Sequence, residues 1–280
     1  MAPYVITSLL VLLIGFMVSS FGNLIGFGGG IFMVPILVTV FHYPLSIAVG
    51  SVMFSLIFSS LMATYRLRKE GRIDFKMGIL LEVPTMGGVI IGSLLLTYLS
   101  TAGLEILFSV LVFILGLSFW LKKTNPEDAT SKRDLFYRMN QWKPGLVIQH
   151  KKTNVVYRAS VGLILFFGLT AGTLAGLFGI GGGFLKTPIM LKVFKMPVKT
   201  ATATALFMIL TTSITGSVSH YLQGHIQLSY VWPVLLGFAG GALLGNRITP
   251  SASDEVLEKM IGLGLILASL VMFANFYNQS

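Results

Sequence analysis

The 280-residue chain has no cysteine. Disulfides, thiolate metal sites and thiol catalysis are therefore excluded. Charge is scarce too: 11% of residues are charged and only ten are acidic, against about a quarter charged in an ordinary soluble domain. With 54% hydrophobic residues, the class is a polytopic membrane protein rather than a water-soluble globule. The four histidines, at 42, 150, 220 and 225, lack metal-ligand spacing. There is no HExxH, no pair of membrane aspartates and no Ser/His dyad, so an enzyme is not expected, nor any cofactor.

What is there is a series of apolar runs. They span residues 5–24, 28–41, 45–64, 77–98, 104–121, 159–178, 183–194, 200–219, 229–248 and 256–276. The first lacks the basic flank and cleavage pattern of a secretory signal, so it reads as a mature helix. Two runs, 28–41 and 183–194, are too short to cross a hydrocarbon core of about 30 Å as straight helices. They read as half-helices, with re-entrant hairpins as an alternative arrangement.

The chain repeats itself. Gly26, Gly28, Gly29, Gly30 and Pro35 recur as Gly179, Gly181, Gly182, Gly183 and Pro188, each displaced by 153 positions (179 minus 26). The same displacement carries Pro44 onto Pro197, Gly71 onto Gly224, Gly87-Gly88 onto Gly240-Gly241 and Gly92 onto Gly245. Chance glycines do not hold register that far. The expected organisation is a membrane repeat over 1–121, a linker over 122–158 and a second repeat over 159–280.

Charge gives the orientation. Arg66, Arg68, Lys69, Arg72 and Lys76 follow the third run, and the linker is rich in Lys and Arg. With ten crossings, nineteen of the twenty basic residues fall on one side, which the positive-inside rule makes cytoplasmic. Equivalent loops of the two halves carry opposite bias: 41–44 is uncharged where its partner holds Lys192, Lys195 and Lys199, and 65–76 is basic where 220–229 holds only His220 and His225. The expected fold is all-α and polytopic, with two inverted-topology repeats of about five segments each and short or broken helices at the glycine motifs. Both termini are expected outside a cell membrane. The net charge of +10 is thus topology signal and linker, and no nucleic acid is expected as partner. In the linker, Leu135, Phe136, Tyr137, Met139 and Trp142 suggest a short amphipathic helix on the inner leaflet; a disordered tether is the alternative.

Inverted repeats are the recurrent architecture of secondary transporters. The motifs Gly26-Phe27-Gly28-Gly29-Gly30 and Gly179-Ile180-Gly181-Gly182-Gly183 lie where a long apolar helix ends and a short one begins. The first N–H groups of a half-helix lack intrahelical partners and sit at its positive end, so they can hold an anion. Close helix contact or a tight turn alone would also call for glycine here. No Lys-Ser or Lys-Thr follows either cluster, which argues against a nucleotide phosphate loop.

The duplicated GFGGGIFMVP and GIGGGFLKTP, each followed by a Pro-containing turn and a small-residue-rich helix, resemble the TauE/SafE family of sulfite and organosulfonate permeases. The resemblance covers nearly the whole chain apart from the linker. It implies a secondary transporter of small sulfur-containing anions such as sulfite, thiosulfate or sulfoacetate, working as an exporter. A transporter of another small solute, or a passive anion channel, is the alternative.

Individual residues sharpen the expectation. Lys186 is the one basic residue that topology leaves unexplained, and an amine there would complement an anionic oxygen; snorkelling or pairing with a carboxylate is its other reading. Glu82, six residues past Lys76 in an apolar run, is a candidate coupling carboxylate, or a partner for Lys76. Asn23, Ser51 and Thr204 offer hydrogen bonds to an oxyanion, as do Thr202 and Asn246; Ser51 matches Thr204 across the repeats. Arg247 reads as an interface anchor. The expected substrate site is Asn23, Gly28, Gly29, Gly30, Ser51, Gly181, Gly182, Gly183, Lys186 and Thr204, with Glu82 for the coupling proton. Besides a small anion and the bilayer, a homodimer is compatible with the sequence, as is a monomer.

Overall fold

The computed structural model describes residues 2–121, 138–140, 142, 144–149, 156–248 and 254–279. The first repeat holds α1 (Ala2–Ile25), α2 (Gly30–Thr39), α3 (Leu45–Lys69), α4 (Phe75–Tyr98) and α5 (Thr101–Leu121). A two-stranded antiparallel hairpin follows, β1 (Gly145–Gln149) with β2 (Val156–Ser160), pairing Gly145 with Ser160 and Gln149 with Val156. Then come α6 (Val161–Phe178), α7 (Gly183–Pro188), α8 (Val198–Leu222), α9 (Leu228–Ile248) and α10 (Asp254–Gln279). Six of these helices are long and apolar enough to cross a membrane among the described residues.

Helix starts obey the sequence repeat. Residues 30, 45, 75 and 101 open helices in the first half, and 183, 198, 228 and 254 open them in the second, each 153 later. Local chemistry explains the shared boundaries. Pro44 and Pro197, which fix φ and cannot donate, stand directly before α3 and α8. Asp74 opens α4, its carboxylate accepting the Met77 N–H at 3.1 Å. Pro35 sits inside α2. Its counterpart Pro188 ends α7, and the chain continues as one wide π turn, Ile189–Val193. Both short helices close with the same widened bonds: the Tyr43 N–H reaches the Leu37 carbonyl at 2.9 Å, and the Met196 N–H reaches that of Met190 at 2.9 Å. At 1.5 Å per residue, α2 rises about 15 Å, half a hydrocarbon core.

The halves interlock instead of lying side by side. α4 packs along α6 in the same direction, with Pro84, Thr85 and Val89 against Gly168, Gly172 and Gly176. α1 packs along α9 likewise, with Leu12, Phe16 and Ser20 against Gly237, Gly241 and Gly245. Each repeat's first helix therefore seats on the fourth helix of the other. A methyl at Gly172 or Gly241 would run into the backbone oxygen of Thr85 or Phe16, so these contacts require the missing side chain. Without water to drive association, close backbone approach through small residues is what holds membrane helices together. The outward faces are apolar, as at Leu9, Leu13 and Met17 of α1 and Val83 and Ile90 of α4. Polar side chains such as Asn23, Glu82 and Lys186 lie inside.

In the linker, the expected helix over Leu135, Phe136 and Tyr137 lies outside the described residues. What is described there is one helical turn at 138–139 and the hairpin, which the sequence reading did not anticipate. Buried Asn140 ties this region to the membrane body, donating from Nδ2 to the Val193 carbonyl at 2.7 Å.

Candidate functional site

Two glycine turns meet at the centre. Gly26, Gly28 and Gly29 have positive φ, as do their counterparts Gly179, Gly181 and Gly182. Side chains carrying a Cβ pay a steric penalty there, which is why the motif is glycine. The turns touch reciprocally. A methyl on Gly30 would stand 3.0 Å from Ile180 Cα, and one on Gly183 would stand 3.1 Å from Phe27 Cα, the residue equivalent to Ile180. A methyl on Gly26 would press on Thr202, and one on Gly179 on Val49, positions again related by 153. All these residues are buried, so in this conformation the turns fill each other's space.

Beside the second turn lies a buried ion pair. Lys186, on α7, donates from Nζ to Glu82 Oε2 at 2.8 Å, with the two side chains 2% and 5% exposed. The same ammonium donates to Thr212 Oγ1, and the Thr212 hydroxyl donates to Glu82 Oε1 at 2.6 Å. Three helices, α4, α7 and α8, thus close a ring of hydrogen bonds around one positive and one negative charge. Lys186 Cε lies 3.2 Å from where a Cβ on Gly182 would stand, which puts the ammonium's stem against the glycine turn. Glu82 therefore pairs with Lys186, not with Lys76. Thr212 was not singled out in the sequence; its one signal is its equivalence to Ser59, 153 positions earlier.

The remaining candidates fall elsewhere. Thr204 Oγ1 accepts the Asp74 N–H at 3.0 Å and so fixes the start of α4. Thr202 donates to its own helix, to the Val198 carbonyl at 3.0 Å. Ser51 is fully buried, and its hydroxyl has no partner among the described residues. Asn23 belongs to a second buried cluster with Ser19 and Ser59: its Nδ2 donates to the Ser19 carbonyl and to Ser59 Oγ, each at 2.8 Å. Its amide hydrogens are occupied in this way. The side chains of Asn246 and Arg247 lie outside the described residues.

An open cleft of about 630 Å³ lies at the end of the molecule that carries the sparsely charged loops. It is lined by His42, Tyr43, Ser46, Thr97 and His225 among others. His225 Nδ1 and His220 Nδ1 are 3.1 Å apart, and His220 Nε2 lies 3.2 Å from the Gly176 carbonyl. A carbonyl only accepts, so His220 carries its proton on Nε2 and His225 donates to His220 Nδ1. Burial holds the His225 imidazole below the usual histidine range. No group of three or more His, Cys, Asp or Glu gathers into a metal site among the described residues.

Several known proteins are similar to this chain along most of its length. The chain is 31% identical over 266 residues to the probable membrane transporter protein YunE of Bacillus subtilis, covering 92% of this chain and 94% of that one. It is 27% identical over 278 residues to a probable membrane transporter protein of Methanocaldococcus jannaschii, with the same coverage of 92% and 94%. A shorter match, 31% over 107 residues and 36% of this chain, is to Sulfite exporter TauE/SafE family protein 6 of Arabidopsis thaliana, of which it covers 25%. No solved structure matches the chain. The family described as Sulfite exporter TauE/SafE matches residues 11–272, which takes in both glycine turns and the Lys186–Glu82 pair. The chain is a membrane transporter belonging to the TauE/SafE family.

Proposed function

We propose that this transporter moves small sulfur-containing anions, such as sulfite, thiosulfate or sulfoacetate, outward across the cell membrane by alternating access. The two repeats lie inverted in the bilayer, and the substrate site is where their glycine turns cross. The observation that carries this reading is the buried, charge-neutral pair of Lys186 and Glu82 beside the second turn. A lone ammonium in hydrocarbon is prohibitively costly, so the site holds an exchangeable counter-charge. In the closed conformation Glu82 is that counter-charge. An oxyanion takes its place at Lys186 when Glu82 is protonated, so substrate and the Glu82 carboxylate compete for one ammonium and a proton on Glu82 favours the substrate. The Thr212 hydroxyl, which now bridges the pair, then becomes a donor to the oxyanion.

Inversion has its own support. Each repeat's first helix runs parallel to the fourth helix of the other repeat, as an antiparallel relation between the repeats requires. The basic residues after α3 and the sparsely charged loop after α8 occupy equivalent positions. The cleft at His225 and His42 is then an outward vestibule.

Counterflow in proteoliposomes holding only this protein tests the reading. Labelled sulfite, thiosulfate, sulfate, sulfoacetate and taurine are offered in turn. Saturable exchange of at least one sulfur anion, abolished by Lys186→Met, is expected. Flux that does not saturate identifies a passive pore, and indifference to all five solutes, or full activity in Lys186→Met, overturns the proposal.

A further inference from the structure

The cleft beside His225 has walls of two kinds. Val38, Leu45, Leu96, Leu99 and Leu104 make the apolar part, and His42, Tyr43, Ser46, Thr97 and His225 the polar part, around a space of about 630 Å³. No Asp, Glu, Lys or Arg stands among the described lining residues. A space of that size falls within the range of about 300–1,000 Å³ in which organic ligands bind, and a bare oxyanion such as sulfite would fill little of it. Thr97 gives its hydrogen to Gln223 Oε1 at 2.9 Å, whereas the side chains of His42, Tyr43 and Ser46 make no hydrogen bond to any described residue.

The imidazole tautomers decide what the polar wall can hold. His220 keeps its hydrogen on Nε2 for the Gly176 carbonyl at 3.2 Å, so its Nδ1 accepts, and His225 carries its own hydrogen on Nδ1, 3.1 Å away. Neutral His225 is therefore left with a bare lone pair on Nε2, which repels an anion. A proton taken up there makes that nitrogen a charged donor and leaves the bond to His220 in place. The titratable groups around His225 are His220 from α8 and His42 and Tyr43 from the loop before α3, with Tyr230 of α9 stacked edge-on against Tyr43 at 4.7 Å. α3 brings Gly50 against the His225 carbonyl, α4 brings Leu96 and Thr97, and α5 brings Leu104, none of which titrates; the side chain of Glu105 lies outside the described residues. Burial holds the free His225 imidazole below the usual histidine range, so it is neutral near pH 7 until an anion recruits the proton.

The repeat carries the same corner with permanent charge. Lys195 stands 153 positions after His42, and both take positive φ, 56° and 52°. Lys199 likewise answers to Ser46, and Arg72 to His225. Where the other repeat has fixed cations, the cleft has bases whose charge comes and goes with a proton. We propose that this cleft binds an organic anion, an oxyanion head on an apolar body, together with a proton on His225 Nε2. The head takes hydrogens from His225, His42 and Ser46, and the body lies against Leu96 and Leu104. That such an anion binds here rests on the cleft alone; that it lies on the route out of the cell rests on the transport reading above.

The test is titration calorimetry on the purified full-length protein in detergent. Benzenesulfonate is the probe, because its head stays ionised throughout and any dependence on pH belongs to the protein. Benzenesulfonamide, the same ring without the charge, measures partition into the micelle. Saturable binding of the sulfonate alone is expected, about tenfold weaker at about pH 8 than at about pH 7. Heats compared in two buffers of different ionisation enthalpy should count about one proton taken up per anion. His225→Gln should take up no proton, and Ser46→Trp, which fills the cleft, should not bind. Absence of binding, binding without proton uptake, uptake unchanged in His225→Gln, or binding that survives Ser46→Trp overturns the site. Counterflow of sulfur anions by a protein that does not bind benzenesulfonate sinks this inference and leaves the transport reading intact. Proton-linked binding in a protein that moves none of the five solutes keeps the site and sinks that reading.

Discussion

The clusters around Ser59 and Thr212 stand on one scaffold, yet one is neutral and the other ionic. Their positions are related by the 153-residue repeat, and the turns, caps and helix starts that surround them are shared. The backbone has therefore kept the repeat while the side chains have diverged. One cluster holds a cation from the second half and an anion from the first; the other holds an amide and two hydroxyls. A transporter built this way can offer its two halves different chemistry without giving up the geometry that lets them exchange roles.

The largest effects are expected from breaking the ionic cluster. Lys186→Met or Glu82→Leu alone leaves an uncompensated buried charge and should cost about 3–5 kcal/mol of stability, read by thermal unfolding in detergent. The double variant Lys186→Met with Glu82→Leu reproduces the residues found 153 positions away in the other repeat, Met33 and Leu235. It should recover most of that loss and still show no anion counterflow. A double variant as unstable as either single one would mean that the pair is not an interacting unit. Next come the turns. A methyl at Gly183 would stand 2.5 Å from Ile209 Cδ1 and 3.0 Å from the Gly26 carbonyl, so Gly183→Ala should destabilise by about 1–3 kcal/mol and slow transport. At Gly224 nothing lies within 4 Å and only the positive φ resists, so Gly224→Ala should cost about 1 kcal/mol and leave transport intact.

The smallest effect compares the loops after α3 and α8. Where the first has Arg72, hydrogen-bonded to Glu70 at 3.2 Å, the second has His225. Burial depresses the His225 pKa below its unfolded value near 6.5. Between the folded and unfolded values the unfolded chain binds more protons, so stability should rise with pH in that window and level off above about 6.5. His225→Gln should flatten the part of that slope owed to this group, as followed by melting temperature against pH.

The fold was legible where backbone chemistry dictates residue type. Positive φ demanded glycine at 26, 28 and 29 and again at 179, 181 and 182, so the turns announced themselves. Apolar length marked out ten helices, and proline and aspartate marked several starts. What escaped was pairing at long range. Lys186 and Glu82 are 104 positions apart, and nothing local distinguishes Lys186 from Lys76 as the partner of Glu82. Thr212 sits in a run with Thr211, Ser213 and Thr215, and only packing reveals which hydroxyl turns toward the charge. Asn23 was legible as a buried polar residue, but which end of its amide remains available depends on Ser19 and Ser59. The linker hairpin carries a local signal in Val147-Ile148 and Val156-Tyr157, which are strand-prone, but two short strands find each other only through pairing across the intervening chain.

The native absence of cysteine makes one measurement direct. Single cysteines replacing Glu70 and Gln223, equivalent residues after α3 and α8, are probed in intact cells with a membrane-impermeant thiol reagent. Inverted repeats predict that the cysteine at 223 labels from outside and the one at 70 only after the membrane is opened. Labelling of both from the same side would contradict the arrangement on which the shared central site depends.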